Sequence, residues 1–99
     1  MRTPRLTEDE LQGHLANLPG WTRQGEEIAK QYTFKDFVHA MQFVNQVAQE
    51  ADAFDHHPDI DIRYNKVLLT LTTHDSGGLT QNDISLAATA DDAADAVTA

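Results

Sequence analysis

The run IDIRYNKVLLTLTTH, Ile60 to His74, alternates apolar and polar side chains on both sides of a short polar break. A period of two is the mark of a strand with one buried face, and a break of two residues between two such strands is the mark of an antiparallel hairpin. An Asn65-Lys66 turn would pair Tyr64 with Val67. Ile60, Ile62, Tyr64, Val67, Leu69 and Leu71 would then line one face, and Asp61, Arg63, Leu68, Thr70, Thr72 and His74 the other. A sheet with one oily face has to be covered on that face, and helices are the expected cover.

The remaining elements follow from local signals. LTEDEL reads as a helix start, with Thr7 as N-cap, Glu10 completing the capping box, and Leu6 and Leu11 as the hydrophobic staple. Leu11, Leu15 and Leu18 continue it until Pro19-Gly20. From Trp21 a hairpin is expected, with Gly25 near its turn and Ile28, Lys30 and Tyr32 alternating in its second strand. FKDFVHAMQFVNQVAQEADAF contains neither Gly nor Pro and sets Phe37, Met41, Val44, Ala48 and Ala51 at helical spacing, with Thr33 and Asp36 as its cap pair. Pro58 ends that helix by forcing His57 out of the helical region. A last, alanine-rich helix opens at Leu79-Thr80, with Thr80 and Asp83 as a second capping box and Leu79 with Ile84 as a second staple. The expected order is α-β-β-α-β-β-α: an α+β fold, a four-stranded antiparallel sheet with helices packed on one face, in a single domain over residues 1–99.

With 99 residues the chain can bury roughly 60–65% of its unfolded surface, enough for one modest core. It has no cysteine, which removes disulfides, thiolate metal sites and thiol nucleophiles. Seven Lys and Arg against sixteen Asp and Glu leave a net charge of −9, which opposes phosphate binding, so no nucleic-acid partner is expected. No membrane span and no signal-peptide pattern is visible, and the expectation is a cytoplasmic protein.

Three of the five histidines gather near the helix-to-hairpin region: His56 and His57 before Pro58, and His74 after the hairpin. Asp52 and Asp55 flank the pair, and a neighbouring carboxylate can orient an imidazole, select its tautomer and raise its proton affinity. Such a group can give and take protons near neutral pH. His14 and His39 read as helix-surface residues. A zinc site is the rival use of three imidazoles, but no spaced motif such as H-E-x-x-H is present, and the reading is of no metal.

The spacing Asp52, three residues, His56-His57-Pro58, five residues, Tyr64, nine residues, His74, eight residues, Asp83 resembles the signature of the pterin-4a-carbinolamine dehydratase family. The likeness extends over LTEDEL, Gly20-Trp21, FKDF, DHHP, YNKV, Thr73-His74 and GLT, from about Leu6 to about Ala88. It implies a hydro-lyase that converts 4a-hydroxytetrahydropterin, left by an aromatic amino-acid hydroxylase, to quinonoid dihydropterin and water, with no metal or organic cofactor. It implies a catalytic set of His56, His57 and His74, with His56 and His74 as acid/base groups and His57 mainly binding. It also implies that Asp55, His56, His57, Pro58, Thr73, His74, Asp75 and Ser76 receive the pterin ring. Trp21 is a candidate flank of that pocket, against an equal reading as a core residue, and Asp52 and Asp83 are further candidates, Asp83 first as a helix cap. Asn82 stands where some relatives have arginine, which leaves the pterin side chain open. The family also implies a homodimer or homotetramer and a link to an aromatic amino-acid hydroxylase. Two rival readings stay beside the enzyme: a protein-binding or transcriptional co-regulator module of the same fold, and action on another pterin such as a molybdenum-cofactor precursor.

Overall fold

A computed structural model describes residues 3–98. Helix α1 spans Glu8–Leu15, strands β1 and β2 span Thr22–Gln24 and Glu27–Thr33, and α2 spans Phe37–Phe54. Strands β3 (Asp59–Arg63) and β4 (Lys66–Leu71), a 3₁₀ turn at His74–Ser76, and α3 (Gln81–Thr98) complete the chain. The sheet is antiparallel throughout, in the order β1-β2-β4-β3. The α-β-β-α-β-β-α order expected from sequence is the order observed.

The alternation in the hairpin produces the one-sided sheet. Val67, Leu69 and Leu71 of β4 pair with Tyr32, Lys30 and Ile28 of β2, and with Ile62 and Ile60 of β3 for the first two. This face is closed by Phe43, Val44 and Val47 of α2, and by Ile84, Leu86, Ala87 and Ala90 of α3. On the opposite face Gln31 and Leu68 are exposed and Ala29 and Thr70 only partly covered, lining an open cleft with Gly20, Thr22 and Gln24.

The hairpin turn lies one residue earlier than expected. Tyr64 and Asn65 make it, Arg63 pairs with Lys66, and Tyr64 takes a left-handed φ of 54°. Asn65 is the reason: its Nδ2 donates to the Phe34 carbonyl at 2.8 Å, and its own carbonyl accepts from the Phe34 N–H at 2.9 Å, which pins the turn to the strand-to-helix connection. Tyr64 is therefore displaced from the oily row and is 66% exposed. The pairing moves by two residues, so Ile60, Ile62, Val67, Leu69 and Leu71 keep a common face.

Helix ends show which local signals dominate. The Thr7–Glu10 capping box forms in both directions. Helix α2 is capped by Asp36 alone, whose carboxylate accepts the His39 N–H at 2.9 Å, while Thr33 stays in β2 opposite Lys66. At its other end α2 stops at Phe54, four residues before Pro58. Asp55 turns left-handed (φ 52°), its N–H and that of His56 donating back to the carbonyls of Asp52 and Ala51, the two bonds of a Schellman ending. The inward stripe of α2 is also rotated from expectation. Ala40, Phe43, Val44, Val47 and Ala51 are buried, whereas Phe37 and Ala48 are exposed, because Phe43 seats against Tyr32 and Phe34 with ring centroids at 4.6 and 5.0 Å.

At α3 the second capping box is half formed. Asp83 accepts the Thr80 N–H at 2.9 Å, but the Thr80 hydroxyl accepts from Asn82 N–H at 3.2 Å and not from Asp83.

Candidate active site

Asp83 is completely buried, and among the described residues its carboxylate pairs with no Lys or Arg but is held by neutral donors and one imidazole. Oδ2 accepts the Thr80 backbone N–H at 2.9 Å and the Thr73 hydroxyl at 2.8 Å. Oδ1 lies 2.6 Å from Nε2 of His56, whose side chain is 11% exposed. Helix α3 places Asp83 in its first turn, where the helix N-terminus favours a negative charge. The left-handed Asp55 ends α2 and turns the chain so that His56, the next residue, reaches α3.

Counting donors orients the whole cluster. A carboxylate only accepts, and Thr73 has one hydroxyl proton, which goes to Asp83. The 2.8 Å contact between the Thr73 and Thr80 hydroxyls must then be donated by Thr80, whose oxygen in turn accepts the Asn82 N–H. The result is a chain of hydrogen bonds all pointing toward Asp83. By the same rule Nε2 of His56 carries a proton for Oδ1, so a neutral His56 has its lone pair on Nδ1. Asp83 thus selects the tautomer of His56 and turns its Nδ1 away from the carboxylate.

The other imidazoles are placed differently. His57 is exposed and its Nε2 meets Asp52 Oδ1 at 2.9 Å, a pair open to solvent on both sides. The two adjacent histidines are thus held by separate carboxylates. His74 opens the 3₁₀ turn and is exposed; it follows Thr73 directly, so its Cα is one peptide, about 3.8 Å, from that of a residue bonded to Asp83. The turn is closed by reciprocal backbone bonds between Thr73 and Gly78 of 3.1 and 3.3 Å.

Of the other candidates, Asp55 and Asp75 are exposed and Pro58 is half-buried. The Ser76 hydroxyl donates to the Thr3 carbonyl at 2.5 Å. Trp21 takes its core alternative: it is 6% exposed, edge-on to Tyr32, and its indole N–H donates to Asp91 at 3.2 Å. Asp91 lies eight residues beyond Asp83 on α3, about 12 Å along the axis. Sequence reading missed this Asp91 hub, which also takes Lys30 at 2.9 Å and the Tyr32 hydroxyl at 2.5 Å. Burial, then the hydrogen bond to Asp91 and after it the Asp91 charge, pushes the Tyr32 phenol well above its ordinary value. An acidic residue in an alanine-rich helix carries no local sign of such a role. Among the described residues, no group of three or more His, Cys, Asp or Glu side chains is arranged to hold a metal ion, and no helix is long and apolar enough to cross a membrane.

A layer of helices on one face of a four-stranded antiparallel sheet, with a buried carboxylate holding the imidazole of His56, defines a small α+β protein. The chain belongs to the pterin 4 alpha carbinolamine dehydratase family, whose sequence model matches residues 4–93. It is 51% identical over 87 residues to a provisionally named pterin-4-alpha-carbinolamine dehydratase of Picosynechococcus sp., covering 88% of this chain and 95% of that one. A provisionally named counterpart from Koribacter versatilis is 55% identical over 82 residues, covering 83% and 87%. Among solved structures, the transcriptional coactivator/pterin dehydratase of Brucella melitensis superposes with a TM-score of 0.88 at 40% identity, covering 91% of this chain and 98% of that one. A pterin dehydratase-like RuBisCO assembly factor of the alpha-carboxysome shares the fold, with a TM-score of 0.66 at 23% identity over 76% and 89% of the two chains.

Proposed function

We propose that this protein dehydrates a 4a-hydroxytetrahydropterin to the quinonoid dihydropterin, in the recycling of a tetrahydropterin used by an aromatic amino-acid hydroxylase. The observation that carries the reading is the 2.6 Å His56–Asp83 pair, which leaves His56 Nδ1 as a proton acceptor. The C4a–O bond breaks as an acid protonates the departing hydroxyl, the N5–H electrons form the new N5=C4a bond, and a base receives the N5 proton. One proton is given and one taken, so two imidazoles suffice. His56, with Asp83 behind it, serves as the base and His74 as the acid; His57 and the surrounding backbone bind the ring. The reaction calls for no metal or organic cofactor.

The test follows quinonoid dihydropterin formation from freshly made 4a-hydroxytetrahydropterin, with and without the protein, in the presence and absence of EDTA. Acceleration that EDTA leaves untouched is the expected result. No acceleration at any protein concentration overturns the reading, and activity lost in EDTA and restored by zinc overturns its metal-free mechanism.

A second reading, a protein-binding role, has its own support in Phe37 and Val38, which are 47% and 62% exposed in the first turn of α2, and in the coactivator name of the Brucella protein. That surface starts α2 whereas His56 and His57 follow its far end, so the two readings are separable by mutation.

A further inference from the structure

Residues 3–6 lie across both segments that build the candidate site. Leu6 N–H donates to the Leu79 carbonyl at 2.9 Å, and Arg5 bridges Thr80 in antiparallel fashion. Thr3 then makes two bonds with different targets. Its carbonyl accepts the Ser76 hydroxyl at 2.5 Å, and its Oγ1 accepts Asn82 Nδ2 at 3.2 Å. Ser76 ends the 3₁₀ turn that His74 begins, and Asn82 precedes Asp83, the residue that holds His56. One residue therefore ties the turn of one imidazole to the anchor of the other.

Arg5 adds a second hold. Its guanidinium meets Glu26 at 2.8 Å, and this ion pair passes over Gly78, where a Cβ would lie 2.3 Å from Glu26 Oε2 and 2.8 Å from Arg5 Nε. Gly78 is the closing partner of Thr73, so the absence of a side chain lets the strap lie directly on the base of the His74 turn. A single 3₁₀ turn is weakly determined by its own hydrogen bonds, and restraint from outside decides where its exposed side chain stands.

We propose that Thr3–Leu6 is a positioning strap that sets His74 against the His56–Asp83 pair, with Thr3 and Arg5 as its positioning residues. This rests on the dehydratase reading for its kinetic consequence, but the placement of His74 can be read without it.

The experiment compares Thr3→Val, which keeps the shape and loses Oγ1, with Thr3→Ser, which keeps the oxygen, in the full chain. Thr3→Val should lower kcat about three- to tenfold, the weight of one hydrogen bond, with KM little changed. In a His74→Ala background it should cost nothing further, since losing the Asn82 tie frees the strap whose Thr3 carbonyl holds Ser76 and with it the His74 turn. The His74 ring signals in ¹H–¹⁵N NMR should move in Thr3→Val and return in Thr3→Ser. Equal losses of kcat in both backgrounds would reduce the strap to general stability and overturn the proposal. If the unaltered protein does not dehydrate the pterin, the dehydratase reading fails, and the His74 signals alone decide the strap: unmoved in Thr3→Val, they overturn it.

Discussion

Nε2 of His56 and Oδ1 of Asp83, residues 27 apart in the chain, lie 2.6 Å from one another, and the second oxygen of the same carboxylate caps α3 through the Thr80 N–H. One buried side chain thus terminates a helix and orients an imidazole. Substitutions can separate the two roles. Asp83→Ala strips the cap and leaves the Thr73 hydroxyl and Thr80 N–H without their acceptor, and should cost about 2–4 kcal/mol in stability. Asp83→Asn can keep an acceptor toward Thr80 and Thr73 but turns an amide N–H toward His56, forcing the ring into the other tautomer. It should stay folded at 25 °C and lose about 10²–10⁴-fold in turnover. Denaturant unfolding beside steady-state kinetics checks both, and an Asp83→Asn protein with full turnover would remove His56 from the proton-transfer scheme.

Replacing His56 or His74 by Ala should each lower turnover by about 10²–10⁴-fold, and the double replacement by much more than either. His57→Ala, at an exposed ring, should raise KM with a smaller change in kcat. Thermal unfolding recorded for each variant should show an intact fold. A folded His56→Ala, His74→Ala protein with full activity would leave the acid/base assignment without support and favour the protein-binding reading.

The Asp91 hub is expected to govern stability, not chemistry. Asp91→Ala leaves the Trp21 indole, the Tyr32 hydroxyl and the Lys30 ammonium without their shared acceptor. A loss of about 2–4 kcal/mol should follow, each kcal/mol lowering the midpoint by about 4–8 °C in a domain of this size. Calorimetry with an activity assay below the transition tests it: a midpoint unchanged from the parent would contradict the hub.

Acid should erode two helix starts. The Thr7 backbone N–H, then its hydroxyl contact, hold Glu10 below its ordinary 4.5, and the His39 N–H, then its ring, hold Asp36 below its ordinary 3.8. Both folded-state values are depressed, so the unfolded chain binds the proton first. The stability they contribute is whole above those ordinary values and is lost as pH falls through the lower folded ones. Glu10→Gln and Asp36→Asn keep capping groups without the titration, so their melting midpoints should fall less steeply below about pH 4.5 than the parent's. Parallel curves down to pH 2 would refute the assignment.

Strand β3 has one partner, β4, and Ile62 on it is 39% exposed. An open edge with an apolar residue invites pairing with another copy, and a symmetric oligomer is the expected state in solution. Light scattering at micromolar concentration should give a multiple of 11.0 kDa; the monomer mass at every concentration would exclude it.

The elements themselves were legible because they depend on near neighbours. A capping box needs four consecutive residues, as Thr7 to Glu10 shows, and the alternation from Ile60 to Leu71 assigned every strand face but that of Tyr64, which the turn takes, since a pairing shift of two preserves the period. The errors share a cause. The Tyr64-Asn65 turn is set by a hydrogen bond from Asn65 to Phe34, and the inward stripe of α2 by Phe43 meeting Tyr32, partners that lie 31 and 11 positions away.

The candidate site divides in the same way. The sequence by itself determined that His56 and His57 sit where a helix hands over to a strand, that His74 follows a hairpin, and that Asp83 stands three residues after Thr80 at a helix start. Its nearest carboxylates for His56, Asp52 and Asp55, were not the ones used. Asp55 is occupied in ending α2 and Asp52 reaches His57, while His56 turns inward to Asp83. Only the tertiary structure decided that pairing. A carboxylate at 0% exposure must have each oxygen satisfied by whatever donors the packing brings to it, and donors from β4's end, the α2 exit and the α3 cap converge only once helices and sheet have closed on one another.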